Sequence, residues 1–148
     1  MRLTRFTDYS LRALIYVGVR HPRLCSVKEV GERYAIAQNH LTKIVHELGR
    51  AGYLETVRGR GGGIRLGMDP SEINIGEVVR RTEPDFQIVE CFGPETGVCC
   101  IEPVCSLGPI LEEAVSQFMS VLDRHTLEDL LASKKLLAEL FAIPADRP

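Results

Sequence analysis

Residues 38–66 read QNHLTKIVHELGRAGYLETVRGRGGGIRL, and this stretch decides the fold. Leu41, Ile44, Val45 and Leu48 fall at helical spacing and make one apolar stripe, so a helix runs from about Gln38 to Ala51. Gly52 follows directly, and glycine at that place closes a helix at no steric cost. Tyr53 to Val57 then reads as a strand. Arg58 to Gly63 packs four glycines into a tight loop, and Ile64 to Leu66 reads as a return strand. A helix followed by such a hairpin is the second half of a winged helix-turn-helix.

The flanks agree with that reading. Ser26 and Glu29 have the spacing of a capping box, which predicts a helix over Val27 to Tyr34. The short turn Ala35-Ile36-Ala37 joins it to the next helix, giving the helix-turn-helix pattern. Ahead of it, residues 7–20 form a first helix on the spacing of Ala13, Leu14, Tyr16 and Val17. Thr7 or Asp8 caps its start, and His21-Pro22 ends it. Downstream, Asn74 and Glu77 form another capping box for a short helix stopped at Glu83-Pro84. Residues 85–106 show no period and contain Pro94 and Pro103, a loop long enough to need a function.

Residues 107–124 resume a helix through Leu107, Ile110, Leu111, Ala114, Val115, Phe118, Met119 and Leu122. That face is broad, and it packs either on the winged domain or on a second subunit. Thr126 and Asp129 cap a final helix to about Leu140, and the tail from Pro144 is expected to fray. The expected fold is mainly α with a small β-wing. Residues 1–84 form the winged helix-turn-helix, 85–106 a ligand-binding loop, and 107–148 a long dimerisation helix with a C-terminal helix.

At 148 residues the chain has the length of one domain, and 45% apolar content supports a real core. No apolar run is long enough to span a membrane. The opening Met1 to Arg5 lacks the apolar stretch of a signal peptide, so a cytoplasmic location is expected. The net charge of −2 hides an asymmetry. Residues 1–67 hold 12 Lys/Arg against 5 Asp/Glu, and residues 68–148 hold 6 against 15. A basic first half and an acidic second half suggest that the first half faces a polyanion.

In a helix-turn-helix the second helix enters the major groove by its N-terminal residues. Here these are Gln38, Asn39, His40 and Lys43. Amide side chains can bridge adenine, and lysine can reach guanine or a phosphate. Arg58, Arg60 and Arg65 flank the glycine loop, where arginine can meet phosphate or enter the minor groove. The loop lacks the Gly-Lys-Ser/Thr ending of a P-loop. Ile64 stands at the last glycine position of a dinucleotide fingerprint, so neither nucleotide motif is present.

Cys91, Cys99 and Cys105 all lie on the aperiodic loop. Reduced cytosolic thiols that cluster tend to bind metal or to react. Thiolates are soft ligands for iron–sulfur clusters or zinc. Zinc sites use tight pairs, whereas gaps of seven and five residues suit wrapping around a larger object. A redox enzyme would want a Cys-x-x-Cys pair, and none exists, so no enzymatic activity is expected. Cys100 is an extra thiol beside Cys99, and Cys25 reads as a small buried side chain. Three cysteines leave one ligand open. Glu90, Glu95, Glu102 and Asp8 are candidates, and spacing does not choose among them.

Several motifs together resemble one family over nearly the whole chain. They are Met1 to Tyr9, Leu11 to Tyr16, Asn39-His40, Val57 to Gly59, Gly62 to Gly67, Ile75 to Arg80 and the cysteine triplet. The family is that of the winged-helix iron–sulfur repressors, and its nitric-oxide-sensing members are the most similar. The resemblance implies a homodimer held by the long helix. It implies an iron–sulfur cluster, 4Fe–4S favoured over 2Fe–2S, on Cys91, Cys99 and Cys105. It also implies that Asp8 of the opposite subunit is the fourth ligand. The protein would repress from operator DNA and release it when nitric oxide attacks the cluster. Another branch carries a histidine ligand three residues after the last cysteine, where this chain has Gly108. An iron-responsive regulator and a zinc-stabilised DNA-binding protein are the alternatives.

Overall fold

The computed structural model describes residues 2–93 and 99–143. Glu95, Pro94 and the tail from Pro144 lie outside the described residues. Among the described residues, seven α-helices and two strands organise the fold: α1 (Arg5–Arg20), α2 (Val27–Tyr34), α3 (Gln38–Arg50), β1 (Leu54–Val57), β2 (Gly63–Leu66), α4 (Ile75–Thr82), α5 (Leu107–Asp123), α6 (Leu127–Leu130) and α7 (Lys134–Leu140). The antiparallel hairpin pairs Leu54 with Leu66 and Val57 with Gly63. Mainly helical with one two-stranded sheet, the fold is the winged helix that the sequence predicts.

Local chemistry explains most of the boundaries. Ser26 accepts from the Glu29 amide at 3.1 Å while Glu29 accepts from the Ser26 amide at 2.6 Å, so the capping box is complete. Gly52 adopts φ +82° and lets Tyr53 N–H reach back to the Leu48 carbonyl at 3.0 Å, closing α3. Two starts differ from expectation. Helix α1 is capped by Thr4, not Thr7 or Asp8, because Thr4 Oγ1 accepts from the Thr7 amide at 3.2 Å. Thr4 is itself held by Glu83, whose carboxylate accepts from the Thr4 amide at 2.8 Å. At α4 the capping box is half made: Asn74 accepts from the Glu77 amide, while its side-chain amide donates to the Asp123 carbonyl at 2.7 Å.

The core gathers under α1. Ala13, Leu14 and Val17 are fully buried against Leu41, Ile44 and Leu48 of α3 and Val78 of α4. Cys25 adds an edge to the hairpin that the sequence does not announce, exchanging backbone hydrogen bonds with Ile64 at 3.0 and 2.8 Å. The predicted last helix is broken in two at Leu131–Ser133. Leu131 leaves the helical path to seat its side chain over Gly18 of α1, where even a Cβ would meet it at 2.7 Å.

Helix α5 is tied to the winged domain near its C-terminal end. Arg80 donates two hydrogen bonds of 2.6 Å to the Asp123 carboxylate. Met119 is buried, but Leu107 and Ile110 at the other end are 58% and 61% exposed, as are Ile101 and Val104 before them at 56% and 83%. Packing on the winged domain therefore accounts for only part of the apolar face. Among the described residues, no helix is long and apolar enough to cross a membrane.

Candidate DNA interface and thiol site

Gln38, Asn39, His40 and Lys43 are all exposed on the first turns of α3, Asn39 and Lys43 opposite its buried stripe and Gln38 and His40 on its flanks. The N-cap position is Ala37, which has no side-chain acceptor. The helix dipole favours an anion at this end. Asn39 is inside the helix, and its side-chain oxygen accepts from the His40 amide at 2.9 Å. His40 also rests against Tyr9 of α1, with ring centroids 6.3 Å apart.

The wing tip turns on Gly59 at φ +100° and Gly61 at φ +79°, which leaves Arg58 and Arg60 exposed. Arg65 differs: its Nε donates to Glu55 across the hairpin at 2.9 Å, so it is committed to an ion pair on the wing itself. Arg60→Ala and Lys43→Ala are each expected to weaken DNA binding without unfolding the chain. A lost phosphate contact should lower the salt slope by about one unit, and a lost base contact should cost about 1–3 kcal/mol at one position. A salt series of binding isotherms measures both.

The loop brings the three predicted thiols together. Cys91 lies in a 3₁₀ turn, Glu90–Phe92, whose Gly93 amide bonds back to the Glu90 carbonyl. Cys99 and Cys105 bracket a second 3₁₀ turn, Glu102–Val104, with the Glu102 amide donating to the Cys99 carbonyl at 3.1 Å. All three line one open cavity of about 270 Å³, together with Phe92, Gly108 and Pro109. Among the described residues, nothing stands within 4 Å of where a Gly108 side chain would begin. Among the described residues no three His, Cys, Asp or Glu side chains are gathered as a single-ion cage. The three thiols are a soft donor set in a partly apolar hollow, and that chemistry suits iron or an iron–sulfur group.

The other candidates separate. Glu102 lines the cavity, and so does Glu112 of α5, which the sequence reading missed. Glu112 is four residues after Gly108, so helical spacing from the last cysteine could have found it. Glu90 and Cys100 do not line it. Asp8 does not line it within one chain either; its carboxylate is paired with Arg12, both contacts 2.9 Å. Cys25 lies elsewhere, buried against the hairpin, and burial, with Glu29 nearby, pushes its thiol up to about 12.

Helix-turn-helix, glycine-hinged basic wing and thiol loop define a winged-helix transcription regulator. Residues 3–133 match the Rrf2 family, described as iron-dependent transcriptional regulators, and the chain belongs to that family. It is 53% identical over 141 residues to the HTH-type transcriptional regulator NsrR of Bacillus subtilis strain 168, covering 95% of this chain and 97% of that one. The NsrR of Geobacillus kaustophilus is 45% identical over 141 residues, with 95% and 96% covered. Among solved structures, CymR, the global cysteine regulator of B. subtilis, superposes with TM-score 0.69 at 28% identity over 90% of this chain and 98% of that one. The T. potens IscR structure gives 0.71 at 23% identity over 99% and 94%.

Proposed function

We propose that this chain is a homodimeric, DNA-binding repressor of the cytoplasm that senses nitric oxide through an iron–sulfur cluster. The observation that carries the reading is the single cavity shared by Cys91, Cys99 and Cys105, on a loop that begins at Glu83, the residue clamped to the start of α1. The thiolates of these three cysteines hold the cluster, 4Fe–4S in preference to 2Fe–2S. Asp8 of the partner subunit supplies the fourth ligand. A bound cluster supplies iron that reacts with nitric oxide. Asp8 would be the one hard oxygen donor on iron matched to sulfur, and so the weakest-held ligand of the four.

The protein residues pass that change onward. Asp8 and Tyr9 are adjacent on α1, and Tyr9 packs on His40 at the start of the reading helix. A shift of α1 therefore moves the side chains that meet the bases. The exposed Leu107 and Ile110 face supports a dimer in which each subunit reads one half-site. The test is a mobility-shift titration of the cluster-loaded protein with nitric oxide. Operator binding is expected to be lost, and the cluster-free protein is expected to bind poorly throughout. The family's description as iron-dependent favours a second reading, in which cluster loss itself is the signal. Tight binding that survives several equivalents of nitric oxide would select it.

Asp8→Ala separates ligand from structural roles. Thr4 already caps α1, so the substitution removes the exposed pair with Arg12 and a first-turn charge on the helix dipole, and should cost no more than about 1 kcal/mol in the cluster-free protein. In the loaded protein it is expected to change the absorbance spectrum or the cluster's lifetime. A wild-type spectrum, lifetime and nitric-oxide response would reassign the fourth ligand to Glu102 or Glu112.

A further inference from the structure

Glu112 stands where the thiol cavity meets a second hollow. It lines the cavity of Cys91, Cys99 and Cys105, and with Phe92 it also lines a neighbouring cleft of about 610 Å³ bordered by Phe86, Gln87 and Val115. The residue is exposed, and among the described residues no hydrogen bond or ion pair engages its carboxylate. The other oxygen donors are committed. Asp8 is held by Arg12 of its own chain at 2.9 Å, and Glu102 already has a partner. Helical spacing puts Glu112 one turn beyond Gly108 on the same face of α5. Gly108 also lines the cavity, and it carries no side chain that could stand over that face. Among the described residues no three of these donors are gathered as a single-ion cage, so Glu112 borders the cavity without being fixed in a ligand position.

We propose that Glu112 is a reserve ligand: when the partner's Asp8 leaves the iron, Glu112 of the chain that holds the thiols takes its place. The inference rests on the cluster reading above and adds a second holder for the fourth position. One iron–oxygen bond, to Asp8, breaks, and one, to Glu112, forms. Both donors are carboxylates, so the charge and the electron count at the iron are unchanged. The freed Asp8 pairs again with the Arg12 of its own chain, as it does in this structure. Asp8 serves only while the partner is seated, whereas Glu112 is carried by the same chain as the three cysteines, and an intramolecular donor acts at high effective concentration. The exchange lets a subunit keep its cluster while giving up its tie to the partner's α1.

Anaerobic reconstitution of the full chain tests this, read by the absorbance spectrum and by its decay in excess chelator. Glu112→Gln alone is expected to match wild type, because Asp8 holds the position. Asp8→Ala is expected to take up the cluster with a changed spectrum, Glu112 then supplying the fourth donor. Asp8→Ala/Glu112→Gln should decay about tenfold faster than Asp8→Ala or more, at least the cost typical of losing a group that merely supports a ligand. Asp8→Ala/Glu112→Asp, which restores a carboxylate, should recover part of that lifetime. Asp8→Ala/Glu102→Gln should decay like Asp8→Ala. A Glu112 double variant that decays no faster than Asp8→Ala overturns the exchange and leaves the Asp8 reading standing. So does a collapse confined to the Glu102 double variant. A changed spectrum in Glu112→Gln with a wild-type one in Asp8→Ala makes Glu112 the resting ligand and overturns both readings. A wild type that takes up no cluster removes the cluster reading itself, and the exchange with it.

Discussion

Serine at any one of Cys91, Cys99 or Cys105 is expected to abolish iron–sulfur reconstitution, and operator binding with it. A serine hydroxyl stays protonated and is a hard donor, whereas cluster iron needs soft thiolates. The three cysteines line one cavity, and removing one leaves two thiols and two glutamates there. Cys100→Ser should keep the cluster, because that side chain is exposed and outside the cavity. Cys25→Ser should keep it too. Its thiol, raised to about 12 by burial, remains neutral at working pH and sits against the hairpin. Anaerobic reconstitution followed by absorbance and iron and sulfide counts decides each case. Loss in Cys100→Ser with retention in Cys99→Ser would exchange the middle ligand.

Leu14→Ala is expected to destabilise the cluster-free protein by about 2–5 kcal/mol. Leu14 is fully buried on α1, in the core that α1 shares with α3, α4 and β2. The cavity left behind would sit between the helix that carries Asp8 and the helix that reads DNA. Against a total stability of about 5–15 kcal/mol the loss is large. Urea unfolding at one fixed protein concentration measures it, since a dimer's stability depends on concentration. A loss below about 1 kcal/mol would mean that the α1 contacts can be remade by neighbours.

The parts of this fold that the sequence reveals are those set by local chemistry. The Ser26–Glu29 box, the Gly52 stop and the run Gly59 to Gly63 each act within a few residues, and each marks its element correctly. The missed features depend on distant partners. Thr4 caps α1 with the help of Glu83, the edge at Cys25 exists because Ile64 lies beside it, and the last helix breaks so that Leu131 can reach Gly18. For the site, Cys91, Cys99 and Cys105, picked out by their spacing, line one cavity, while Glu112 needed the register of α5. Arg65 reads as a free wing cation until Glu55, its cross-strand partner, is in view.

The attachment of α5 makes it a lever. Its 17 residues span about 25 Å at the usual helical rise. The fulcrum is the clasp of Asp123 by Arg80 and Asn74, and the opposite end follows Cys105 by two residues. A tilt of about 5° at the fulcrum corresponds to about 2 Å of travel at the end of a ~25 Å arm. On the proposed sensing role, a motion begun at the thiols would arrive at α4 greatly reduced in amplitude and increased in force. The clasp, set on the side of the winged domain, is the joint that must bear that torque.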